Sequence, residues 1–70
     1  MNGKEKELLK LKKLLKHWAE HNDSHVESFI KWRDIAKSHG LKFIVEQLNE
    51  AIKQMKLCND HLIAAHDALD

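Results

Sequence analysis

Three of the chain's six histidines stand four residues apart, at His17, His21 and His25. Side chains at i and i+4 lie on one face of a helix. Two imidazoles at that spacing can grip one metal ion. Further along, Cys58 and His61 stand at i and i+3, again on one helical face. If two helices bring these pairs together, His17, His21, Cys58 and His61 form a set of one thiolate and three imidazoles, with His25 as a replacement ligand. Such a set suits tetrahedral Zn²⁺ and is acceptable to Ni²⁺, Co²⁺ or Cu. A divalent transition metal, Zn or Ni first, is therefore the expected cofactor. Glu20, Asp23 and Asp60 are close enough in sequence to accept hydrogen bonds from the ligating rings. The bland alternative is that these are ordinary surface histidines and that Cys58 is a small buried hydrophobe.

The elements that would position these residues are helices. The chain has 70 residues, no proline, two glycines and one cysteine. That length makes a single domain, 1–70, with a modest core that needs a staple or a partner. One cysteine excludes an internal disulfide, and a reducing, cytoplasmic setting is expected. No apolar run is long enough for a membrane span, and no signal peptide is evident.

From Lys4 the residues Leu8, Leu11, Leu15, Trp18, Asn22, His25, Phe29, Trp32 and Ala36 follow three-four steps. This is a heptad seam, flanked by Leu14, His21, Ser28 and Ile35. Ser24 and Glu27 form a potential capping box that would break the helix near 22–24 and give a three-helix bundle. The unbroken heptad phase favours one helix near 4–38, with residues 1–3 frayed. Gly40 and Leu41 read as a helix stop. A second seam then runs through Leu41, Val45, Leu48, Ile52, Met55, Asn59, Leu62, His66 and Leu69, giving a helix near 41–69.

A short connection makes the two helices an antiparallel hairpin. Register counted from Gly40 sets His21 beside Cys58 and His17 near His61. Asn22 and Asn59 fall at seam positions, where a polar residue commonly fixes register at some cost in stability. His25 and His66 share that polar layer and offer a pH-sensitive or ligand-holding alternative. Leu9, Ile30, Phe43, Leu57 and Ile63 remain outside the seams. Two hairpins packed as a four-helix bundle would bury them, so a homodimer is expected, and the apolar face could equally receive another protein.

Residues 1–16 hold six lysines against two glutamates, while the rest is slightly acidic. The overall charge is only +1, which argues against a dedicated nucleic-acid binder. A membrane-surface helix would use the same leucines that complete the hairpin, so membrane binding is not expected. There is no Glu-x-x-His pair, no His-Glu-x-x-His, no phosphate-binding glycine loop and no Ser-His-Asp arrangement. The chain is expected not to be an enzyme.

The pattern His17-Trp18-x-x-His21-Asn22-x-x-His25, followed by Phe29 and Trp32 and then Gly40-Leu41, resembles a small family of uncharacterised helical proteins from archaea and anaerobic bacteria. The likeness spans most of residues 14–69. It implies that the histidine segment is functional and carries no activity with it. Cys58 and His61 are not part of that pattern.

Two functions follow as expectations. The first is a small metal-binding protein for storage, delivery, sensing or structural stapling. The second is a non-catalytic helical dimerisation or interaction module without metal. Binding of acidic lipid or RNA by the lysines of residues 4–16 is a weaker third, and salt would abolish it.

Overall fold

The computed structural model describes residues 2–69. Two helices, α1 (Gly3–Ser38) and α2 (Lys42–Ala68), pack as an antiparallel hairpin. At 1.5 Å per residue, the 36 residues of α1 account for about 54 Å of length. The molecule is accordingly a rod of 57 × 15 × 13 Å.

The start of α1 is earlier than expected. Asn2 caps it, its side-chain oxygen accepting the Glu5 amide at 2.8 Å. Asn followed three residues later by Glu is a capping signal, so Gly3 is helical rather than frayed. Met1 lies outside the described residues.

No break occurs at 22–24. Ser24 does not cap a second helix; its hydroxyl donates back to the Glu20 carbonyl at 3.4 Å, a contact that helix-interior serines make without ending the helix. The three-helix alternative is therefore excluded.

The turn follows from Gly40. Its φ of 70° lies in the left-handed region that glycine alone enters without a Cβ penalty. There the Gly40 amide donates to the Lys37 carbonyl at 3.0 Å, and the Leu41 amide to the Ala36 carbonyl at 3.1 Å. These two bonds make a Schellman ending. Gly40→Ala is expected to cost roughly 1 kcal/mol by forcing a Cβ into that region. Urea denaturation measures it, and the cost is backbone strain because a Cβ there would meet nothing within 4 Å.

The α2 seam is the expected one from Val45 to Leu69, all half-buried or buried. Leu41, in contrast, is exposed. The α1 seam is corrected at every other step. It runs through Leu15, Ala19, Asn22, Val26, Phe29, Arg33 and Ala36. Trp18, His25 and Trp32, expected inside, are exposed, the tryptophans at 43% and 57%, and so are Leu8 and Leu11 at the start of the expected seam.

The physical reason is width. The apolar stripe of α1 is broader than one neighbour can cover. Helices pack only about 8–10 Å apart, and α2 takes the edge where Ala19, Val26 and Ala36 allow close approach. The indoles are left on the flank.

The core is correspondingly thin. Leu15, Ala19, Val26, Ala36 and Ile52 are its buried apolar residues, and none is wholly sealed. Leu9, Phe43, Leu57 and Ile63 are exposed as expected, while Ile30 is half-buried. Among the described residues, no helix is long and apolar enough to cross a membrane.

Candidate metal centre

The three histidines of α1 form a ladder of rings. Steps of four residues turn about 40° around the helix, so the ladder climbs from the solvent side towards the seam. His17 stacks on His21 with centroids 6.2 Å apart, and His21 meets His25 edge-on at 4.6 Å. Phe29 continues the ladder, stacked on His25 at 6.2 Å, and is anchored in the seam. The rings of His21 and His25 are thereby held side by side. Their Nε2 atoms converge to 3.0 Å.

That distance has two chemical meanings. One neutral ring can donate its Nε2 proton to the other. Alternatively, both rings present Nε2 lone pairs to one cation. Zn–N bonds of 2.0–2.1 Å in a tetrahedron put the two nitrogens about 3.3 Å apart. The observed separation is within a few tenths of an ångström of that bite. Both rings are exposed, so an ion can reach them.

The remaining expected ligands do not join this pair. The Cys58 thiol is free and exposed. It lies against Asn22, whose Nδ2 reaches its sulfur at 3.9 Å, rather than against His21. His61 is exposed on α2, one turn further round from Cys58. His17 touches His21 by stacking only. Among the described residues, no group of three or more His, Cys, Asp or Glu is placed to hold a metal ion. The four-ligand convergence of His17, His21, Cys58 and His61 is thus not formed within one chain. The hairpin register is close to expectation. What differs is rotation: Cys58 and His61 flank the seam, and α1 is turned so that Asn22 faces α2.

A polar layer lies directly beneath the histidine pair. Asn22 donates to the side-chain oxygen of Asn59 at 3.0 Å, and Asn59 donates to the Asp23 carboxylate at 2.8 Å. Asn59 is the one buried polar residue among those described, and no buried side-chain nitrogen or oxygen among the described residues lacks a partner. This layer is structural. A slip by one residue would turn Asn59 away from both partners, so the bonds lock the level at which α2 meets the histidines. A second cross-link, Arg33 to Asn49 at 3.1 Å, holds the same register nearer the turn. The seam positions of Asn22 and Asn59 were legible in the sequence; their bond to each other was not. The role of Asp23 was not, because a carboxylate beside a seam is ordinarily solvated.

The family model that matches this fold covers residues 11–69 and is described as a domain of unknown function, DUF8180. The chain belongs to the DUF8180 family. The match takes in the histidine ladder, the asparagine layer, the turn and the whole of α2. The description of DUF8180 assigns no activity. No curated protein and no solved structure matches the chain.

The flank that α2 leaves open has a composition of its own. On α1 it runs through Leu11, Leu14, Trp18, His21, His25, Ser28, Trp32 and Ile35, and it continues onto α2 through Ile44, Ala51, Cys58 and Ala65. None of these twelve carries a formal charge, in a chain of which 33% is charged. A solvated face would not have that composition. Leu11, Trp18, Trp32 and Ile44 are its exposed large apolar residues, while Leu14, Ile35 and Ala51 are half-buried. Together with exposed apolar residues elsewhere on the chain they mark an interaction surface, and the histidine pair lies on this flank.

Proposed function

We propose that this domain binds a divalent transition metal, Zn²⁺ or Ni²⁺, through the imidazoles of His21 and His25. The single observation that supports this is the convergence of their Nε2 atoms to 3.0 Å on a helix face open to solvent. The role is non-catalytic: storage, delivery or sensing of the ion, or stapling of a small bundle. His17, stacked on the outside of His21, is a spare donor rather than a primary ligand. Cys58 and His61 are not ligands in this reading.

Equilibrium dialysis of tag-free protein against Zn²⁺ or Ni²⁺ tests it. Wild type and a Cys58→Ser/His61→Ala variant are expected to retain the ion equally. His21→Ala/His25→Ala is expected to lose at least ten-fold in affinity, since bringing two donors on one element is what makes the site. Equal retention by that variant would refute the assignment.

A second reading has its own observation, the uncharged and exposed flank. It makes the hairpin an interaction module, with the metal as a later addition or absent. It predicts an assembly that forms in the presence of a chelator.

A further inference from the structure

We infer that the metal site is completed by a second copy of this chain, packed antiparallel along the exposed flank of α1, so that two His21–His25 pairs meet at a two-fold axis. The inference rests on the metal-binding proposal above and adds the partner, the symmetry and the two missing ligands.

Three observations carry it. The first is coordination. A structural zinc site almost always has four protein ligands, and one chain brings together two. A second identical pair supplies the other two.

The second is the pattern of the flank. Its steps from Leu11 to Ile35 are three, four, three, four, three, four, three. The series reads the same in both directions, so an antiparallel copy can overlay it along its full length. Full overlap of this uncharged stretch puts the centre at residue 23, midway between His21 and His25. About that centre Leu11 opposes Ile35 of the partner subunit, and Leu14 opposes the partner's Trp32. Trp18, one of the two bulkiest residues of the series, opposes the partner's Ser28, its smallest. His21 opposes the partner's His25. Steric complementarity and the meeting of the histidines thus come from one register. The hydrogen bonds from Asn22 to Cys58 and Asn59 carry that centre across to α2. There Cys58 falls at the axis and Ala51 opposes the partner's Ala65. A parallel copy would instead set the Leu-Trp stripe against α2 of its partner, where Gln47, Gln54 and His61 flank the small residues.

The third is area. The chain exposes 5602 Å². A compact monomer of 8.2 kDa is expected to expose about 4,500 Å². The excess of about 1,100 Å² exceeds the roughly 800 Å² per partner that a standard interface buries. The unpartnered area of this rod is thus large enough for a second copy to cover.

The test uses full-length, tag-free chain with ZnCl2 as the probe. Sedimentation velocity with elemental analysis is expected to give a dimer holding one zinc per two chains. Because Cys58 is the only cysteine, a short bis-maleimide is expected to link two chains through it in zinc. A Trp18→Glu/Trp32→Glu variant alters only exposed indoles, so it keeps its helicity by circular dichroism while failing to dimerise. Its zinc affinity is expected to fall at least 100-fold although its histidines are intact. Undiminished zinc binding by that monomer would overturn the shared site and leave the metal-binding proposal standing. A zinc-free dimer would overturn both. A wild-type monomer with one zinc per chain would overturn the inference alone.

Discussion

Zinc at 100 times its dissociation constant is expected to raise the melting temperature of this protein by at least 10 °C. Ligand binding to the folded state alone contributes about 2.7 kcal/mol at that excess. A domain of this size shifts roughly 4–8 °C for each kcal/mol. The effect is large because the starting stability is small. The described core holds five buried apolar residues, and a chain of 70 residues has little margin without a staple. The same zinc is expected to leave the melt of His21→Ala/His25→Ala unchanged, because neither ring remains to bridge. Differential scanning fluorimetry or circular dichroism reads both effects. A similar rise in wild type and double variant would place the ion elsewhere.

Asn59→Ala is expected to destabilise the hairpin by about 1 kcal/mol, the net worth of part-buried hydrogen bonds lost with the side chain. Asn59 serves two partners at once, accepting from Asn22 and donating to Asp23. Removing it takes the oxygen acceptor from the half-buried Asn22 amide and leaves that amide only the Cys58 sulfur at 3.9 Å. The double variant Asn22→Leu/Asn59→Leu should recover that loss, because a matched apolar pair replaces a matched polar one. The recovery should carry a penalty in register, as when a polar seam residue is lost from a coiled coil. Without the asparagines the Gly40 turn still holds the level of α2, but no polar bond in the seam fixes how its stripe from Val45 to Leu69 is turned against α1. Urea denaturation measures the stability. The register is read from the chemical-shift spectrum, which should change from one set of peaks to several. A double variant as unstable as Asn59→Ala would show that the layer does more than pair with itself.

Much of this was legible in the sequence. The hairpin, the Gly40 stop and the α2 seam follow from heptad spacing and one glycine. The seam placement of Asn22 and Asn59 follows from the same spacing, but their bond to each other does not. The facing of α1 was not legible. Its apolar residues span two adjacent stripes, one through Ala19, Val26 and Ala36 and one through Trp18 and Trp32. Periodicity alone weighs the large residues more heavily. Only the geometry of two helices decides that small residues go between them and indoles go outside. That rotation also dissolved the expected four-ligand site. The register was close, but a ligand set needs the azimuth of each side chain as well. The pairing of His21 with His25 was not legible either: the sequence pointed to His17 with His21 and held His25 as a replacement, and the same i,i+4 spacing leaves the first two rings stacked 6.2 Å apart while the second two converge.

X-ray absorption at the zinc edge of tag-free, zinc-loaded protein decides whether His21 and His25 hold the ion. The expected spectrum has nitrogen neighbours at about 2.0–2.1 Å with the outer-shell signature of imidazole rings, and no sulfur. That first shell should be lost from His21→Ala/His25→Ala. A sulfur neighbour at about 2.3 Å would return Cys58 to the site and contradict the two-histidine assignment, as would a zinc surrounded by water and carboxylate oxygen alone.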